Sequence, residues 1–213
     1  MENKFNEFMR AFNELDKEQS VSLVFNWLSN QELTIKELYE EILVKALANL
    51  TDIESNPQHK IWFEHVQSSI VRTIIEMAHP FVLENKQPSL LKKAAVICPD
   101  NEQHELGARM INDYLTLAGL QSYFVGRDTP RNEFIKMIQE VQLDIVAISV
   151  TNYYNVSEVI KTIEKIIESK HEVTILLGGR AIANNPHIFN QYKNVILLKN
   201  SEALFDWLKT VQS

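Results

Sequence analysis

Through the first eighty residues apolar positions recur at helical spacing, and after residue 93 they gather into short runs separated by amphipathic stretches. Phe5, Phe8, Met9 and Phe12 predict a first helix. Val21, Val24, Phe25, Trp27 and Leu28 predict a second over 20–28. Thr34 opens a third, with Glu37 three residues on as capping-box partner and Leu38, Ile42, Leu43 and Leu47 along one side. Residues 52–58 are polar, contain Pro57 and read as a loop. A long fourth helix over 59–83 carries Ile61, Trp62, His65, Ile70, Ile74 and Met77, with Pro80 near its end. These four helices predict a bundle over residues 1–83. Residues 84–92 (Glu-Asn-Lys-Gln-Pro-Ser-Leu-Leu-Lys) read as a linker.

From residue 93 to 213 strands and helices alternate. Strands are expected at 94–97, 122–125, 144–150, 173–177 and 195–198. Helices are expected at 102–118, from about Pro130, at 156–168, near 185–192 and at 202–211. Residues 144–150 form a continuous apolar run, as a central parallel strand requires. The fold class is therefore α/β with an N-terminal all-α part: a four-helix bundle, then a five-stranded doubly wound parallel sheet of flavodoxin-like or Rossmann-like kind. All five glycines (107, 119, 126, 178 and 179) lie in the second part, which supports two different modules.

Charge and composition narrow the function. A net charge of −7 without a Lys/Arg cluster argues against non-specific nucleic-acid binding. Cys98 is the single cysteine, which excludes a disulfide framework and fits a reducing compartment. No run approaches the roughly 18 apolar residues of a membrane span, and no apolar signal core opens the chain. The expectation is a cytoplasmic protein without a membrane partner. The dinucleotide fingerprint Gly-x-Gly-x-x-Gly, the P-loop, Gly-x-Ser-x-Gly and His-Glu-x-x-His are all missing from the sequence.

Three sites fall at the carboxyl ends of predicted strands, where open α/β sheets bind ligands. After the first comes Cys98-Pro99-Asp100-Asn101-Glu102-Gln103-His104-Glu105-Leu106-Gly107. A neutral imidazole at His104 can offer one ring nitrogen to a metal while a carboxylate such as Glu102 holds the other N–H. Gly107 lets the backbone approach a bulky ligand. The same stretch also reads as a plain helix start, with Asp100 or Asn101 as cap and an exposed His104. Ser149 and Thr151 share a face at the end of the third strand, and Gly178-Gly179 follow the fourth.

Together, Glu-x-His-x-x-Gly, Ser-x-Thr and Gly-Gly after strands one, three and four resemble the cobalamin-binding α/β domain, with the helical bundle as its cap. The resemblance implies cobalamin (adenosylcobalamin or methylcobalamin) as cofactor. It implies His104 as the lower cobalt ligand, replacing the corrinoid's own dimethylbenzimidazole, and Glu102 as partner to its other nitrogen. Gly107 matches the glycine at the helix start. Ser149, Thr151, Gly178 and Gly179 would line the slot for the displaced nucleotide tail. Many relatives carry Asp at the position of Glu102, and Leu is common at that of Thr151.

Within the family the motif is closer to the CarH/LitR-type light-dependent regulators. Methyl carriers usually read Asp-x-His-Asp-x-Gly-Lys, whereas Ala108 follows the glycine here. Glu64-His65 resembles the pair that the regulators place over the upper corrin face. Two features depart from the regulators: the chain begins directly with the cap rather than a DNA-binding domain, and Glu54 stands where they carry tryptophan. Trp62 is assigned to the cap core. The expectation is a non-enzymatic adenosylcobalamin-binding sensor, photoreceptor-like and linked to transcription regulation. Its output would pass through a protein partner or a change of homo-oligomer. The alternative is a corrinoid carrier subunit of a methyltransferase system.

Overall fold

The computed structural model describes residues 1–50 and 61–212. Spatial contacts divide the chain into two compact units, Met1–Asn85 and Lys86–Ser213. The loop expected at 52–58 lies outside the described residues. No helix among the described residues is long and apolar enough to cross a membrane.

The first unit is built from α1 (Glu2–Asn13), α2 (Lys17–Ser29), a continuous helical run and α5 (Ile61–Glu84). Phe8 and Phe12 are buried and stack at 5.2 Å. Asp16 accepts a hydrogen bond from the Gln19 N–H at 2.8 Å and so caps α2. The expected capping box is present: Thr34 Oγ1 accepts from the Glu37 N–H at 3.1 Å, and Glu37 Oε2 accepts from the Thr34 N–H at 2.8 Å. Beyond it the run is not uniform. Between α3 (Ile35–Glu37) and α4 (Val44–Leu50) it widens into a π segment, Leu38–Leu43. The wider turn brings Leu38, Tyr39, Ile42 and Leu43 to buried positions within six residues.

The core face of α5 differs from expectation at its start. Gln67, Ile70, Val71, Ile74, Ile75, Ala78 and Val82 are buried. Extending that stripe backwards at 3.6 residues per turn leads to Phe63, and leaves Trp62 and His65 off it. Ile61 and Trp62 are accordingly exposed, as is His65, and the Trp62 ring meets that of Phe63 edge to face at 5.7 Å. Trp62 is thus not core.

The second unit is a five-stranded all-parallel sheet. In chain order it runs β1 (Lys93–Ile97), α6 (Leu106–Leu117), β2 (Gln121–Gly126), α7 (Arg131–Val141), β3 (Ile145–Ser149) and α8 (Val156–Glu168). Then come β4 (Thr174–Gly178), α9 (Arg180–Ala183), β5 (Val195–Leu197) and α10 (Ser201–Gln212). A 3₁₀ turn, Tyr153–Asn155, precedes α8, and another, Pro186–Phe189, follows α9. The strand order β2-β1-β3-β4-β5 reverses direction between β1 and β3. The loops leaving these two strands therefore diverge to opposite faces and open a crevice at their carboxyl ends. Burial of Ala94–Ile97 and Ile145–Ile148 on both faces explains their unbroken apolar character.

Residues 86–92 hold no regular element but are pinned. The Gln87 N–H donates to Leu117 O at 2.8 Å and the Leu90 N–H to Gly119 O at 3.0 Å. Gly119, at φ +96°, ends the α6 turn. A Cβ there would lie 2.2 Å from Pro88 O, so this crossing requires glycine.

Candidate functional site

α6 begins at Leu106, four residues later than expected, because the preceding residues serve the crevice instead. The chain turns after β1 with the Glu102 N–H donating to Pro99 O at 3.0 Å and Asn101 at φ +69°. Neither Asp100 nor Asn101 caps the helix. Asp100 instead accepts from Arg131 Nη2 at 2.8 Å. Arg131 also reaches Glu158 Oε2 at 2.6 Å and donates through Nε to Thr162 Oγ1 at 3.1 Å. The loop is thereby tied to α7 and α8.

Glu102 turns inward and is fully buried. Its Oε2 accepts from the backbone N–H groups of Thr151 at 3.0 Å and Asn152 at 2.9 Å, and from Asn155 Nδ2 at 3.2 Å. Its Oε1 accepts from the His104 N–H at 2.9 Å and lies 2.5 Å from His104 Nδ1. One carboxylate thus bridges the loops after β1 and β3 at the point where the sheet reverses. Burial alone would raise its pKa. The bonds from the His104 ring, the Asn152 and His104 amides and the Thr151 amide outweigh that effect and hold it at about 2. An ionised acceptor at Nδ1 places the imidazole proton on that nitrogen and leaves the lone pair on Nε2. The His104 side chain is 55% exposed, against 0% for Glu102. The arrangement holds a half-exposed imidazole through Nδ1 on a buried, multiply bonded carboxylate.

The surroundings are equally ordered. The buried Cys98 points its Sγ to His104 O at 3.8 Å. Burial, reinforced by the negative charges of Glu102 and Glu105, pushes its thiol up to about 12, so it is not a nucleophile. Glu105 is buried, with Arg109 at 3.3 Å and Arg127 at 3.8 Å, and Arg109 lies over the Phe124 ring. Arg127 also donates to Gln103.

Of the residues singled out from sequence, Glu102, His104 and Thr151 are brought together directly, Thr151 through its amide rather than its hydroxyl. Ser149 pairs in register with Gly178 across β3 and β4. The three glycines separate by cause. At Gly179, with φ +104°, a Cβ would lie 2.1 Å from Val150 O, so the turn itself demands glycine. A Cβ at Gly178 would approach nothing closer than 3.5 Å, and at Gly107 nothing within 4 Å. Folding does not require glycine at these two positions: a Cβ at Gly107 would stand in open space, and one at Gly178 in ordinary contact with Leu198. Glu64 and His65 belong to the helical unit, where Glu64 is half-buried and His65 exposed on α5.

Asn152, Asn155 and Arg131 were not expected. Asn152 Oδ1 accepts from the Tyr154 N–H at 3.0 Å and caps the 3₁₀ turn that carries Asn155 to Glu102. An asparagine after a strand is a recognisable turn signal. Its role in gripping a carboxylate fifty residues away is not local information.

The polar groups gathered here are one imidazole, His104, held through Nδ1 by the buried Glu102 carboxylate. Residues 92–196 match the B12-binding domain family. Dimethylamine corrinoid protein 2 of Methanosarcina acetivorans is 24% identical over 108 residues, which are 50% of this chain and 49% of that protein. The matched part thus spans about half the length of that curated relative. The solved monomethylamine corrinoid protein of Methanosarcina barkeri superposes with a TM-score of 0.83 at 13% identity, covering 98% of this chain and 99% of that one. A chain of the methanol:cobalamin methyltransferase complex of Methanosarcina barkeri gives 0.53 at 12% identity, covering 99% and 80%.

Proposed function

We infer that the protein is a corrinoid carrier subunit of a methyltransferase system, with residues 92–196, which match the B12-binding domain family, as the part that holds the corrinoid. The carrying observation is the His104–Glu102 pair, fixed across β1 and β3; with the carboxylate at Nδ1, the neutral ring would carry its lone pair on Nε2. His104 would be the axial ligand. When bound, the corrinoid supplies a cobalt centre that can accept and give up a methyl group. The chain supplies the setting. Glu102 holds the Nδ1 proton and strengthens the imidazole as a donor. Thr151, Asn152 and Asn155 prevent the carboxylate from turning away. Gly107 leaves open space for the ligand at the start of α6, and Ser149 and Thr151 would offer hydroxyls to its tail.

The curated relative is itself a corrinoid protein, and the fold shared with the monomethylamine corrinoid protein extends over both chains. These likenesses support a carrier better than the sensor expected from Glu102, Ala108 and Glu64-His65. A carrier implies a methyltransferase as partner, and methylated amines or methanol are the substrate classes that the relatives' names suggest.

The test is protein loaded with methylcobalamin and mixed with a methylcobalamin:thiol methyltransferase of a methylamine system. The expected result is thiol methylation at least tenfold faster than with equimolar unbound methylcobalamin, and no such gain with His104→Ala. No gain with wild type, together with a light-driven change of spectrum and mass in the adenosylcobalamin-loaded protein, would establish the sensor instead.

A further inference from the structure

Two large aromatic side chains stand in the open beside the candidate site. Tyr153 is 56% exposed and Tyr154 87% exposed, and their rings meet edge to face at 6.4 Å. They occupy the 3₁₀ turn between Asn152 and Asn155. Both flanking asparagines are held by Glu102, one through its amide at 2.9 Å and the other through Nδ2 at 3.2 Å. Glu102 in turn touches the His104 ring. The imidazole and the tyrosine-bearing turn are therefore two ends of one hydrogen-bonded unit.

The turn is rigid at its base: the Tyr154 N–H donates to Asn152 Oδ1 at 3.0 Å and the Asn155 N–H to Asn152 O at 3.0 Å. A braced turn that buries its third residue, Asn155, while presenting its first two to solvent has already fixed the backbone beneath both rings. Tyrosine suits a surface that is apolar in the middle and polar at its edge, because the ring offers an apolar face and the hydroxyl a hydrogen bond. A corrin rim has that character, with methyl-bearing carbons between amide arms.

We propose that Tyr153 and Tyr154 form an aromatic shelf that receives the rim of the corrin, the rings covering its apolar edge and the hydroxyls meeting its amide arms. This rests on the reading of His104 as axial ligand. It extends that reading by giving the β3–α8 loop a binding role of its own. The shelf and the imidazole are positioned by the same carboxylate, so the rim and the axial nitrogen are engaged in one fixed geometry.

The experiment is equilibrium dialysis of full-length protein against aquacobalamin, with the absorption spectrum recorded at saturation. Wild type, Tyr153→Ala/Tyr154→Ala, Tyr153→Phe/Tyr154→Phe and His104→Ala are compared. The double alanine variant is expected to bind at least tenfold more weakly, with wild-type thermal stability and a wild-type spectrum once saturated. The double phenylalanine variant should lose no more than a few-fold. Wild-type affinity in the double alanine variant overturns the shelf. So does wild-type affinity combined with slowed transfer to a methyltransferase, which would make the tyrosines a partner contact. Failure of the axial-ligand reading shows separately, as identical saturated spectra for wild type and His104→Ala.

Discussion

Glu102 receives bonds from both its own loop and the loop after β3, and its substitution is expected to cost more than the loss of one contact. In Glu102→Gln the side-chain NH₂ must face N–H donors on whichever side it points, leaving buried donors unsatisfied. The expected loss is about 3 kcal/mol of folding stability, read from urea unfolding, together with loss of the fixed imidazole. Cys98 gives a second test at this scale. Its buried thiol should resist iodoacetamide at pH 8 in native protein and react at once in denaturant. The pH sign follows from the same residue. With a folded value of about 12 against 9.0 ordinarily, the unfolded chain loses this proton first. The stability tied to the neutral thiol is complete below pH 9 and declines as pH rises towards 12. The stability difference between wild type and Cys98→Ala should therefore shift against wild type between pH 8 and 10.5, by about 2 kcal/mol. An unchanged difference would contradict a protonated native thiol.

At the scale of elements, periodicity located every strand and most helices, because each buries a stripe or a run that local composition records. The span 156–168 was legible to the residue, since a strongly amphipathic stretch fills it. The start of α6 was not. Acidic residues at 100 and 102 look like helix-start signals, and only the fold reveals that one serves Arg131 and the other the amides after β3. The π segment was hidden for a related reason: the spacing of Leu38, Ile42 and Leu43 also satisfies an α-helix. In the long helix, Trp62 and His65 matched apolar spacing over one turn but not the stripe set by Ile70 and Ile74. Of the site itself, His104 with Glu102 could be read from the motif, while the grip of Asn152 and Asn155 depended on the pairing of β1 with β3. The glycines separate cleanly by experiment. Gly179→Ala should cost about 3 kcal/mol or more, because its Cβ would strike Val150 O and its φ is left-handed. Gly107→Ala should fold with unchanged or slightly raised thermal stability and yet bind aquacobalamin more weakly. Equal affinity of Gly107→Ala and wild type would show that the ligand does not use that space.

For the molecule as a whole, sequence patterning supports two modules: a helical unit, and a sheet unit whose reversal point holds the candidate site. The most direct test of the central claim is the electron paramagnetic resonance spectrum of cob(II)alamin bound to the protein labelled with ¹⁵N-histidine. If His104 is the axial ligand, each cobalt hyperfine line is split into a doublet by the spin-½ nitrogen, against a triplet in unlabelled protein, and the doublet disappears in His104→Ala. A triplet that persists in the labelled wild-type protein would show that the cofactor's own base remains on cobalt, and would contradict the assignment of His104.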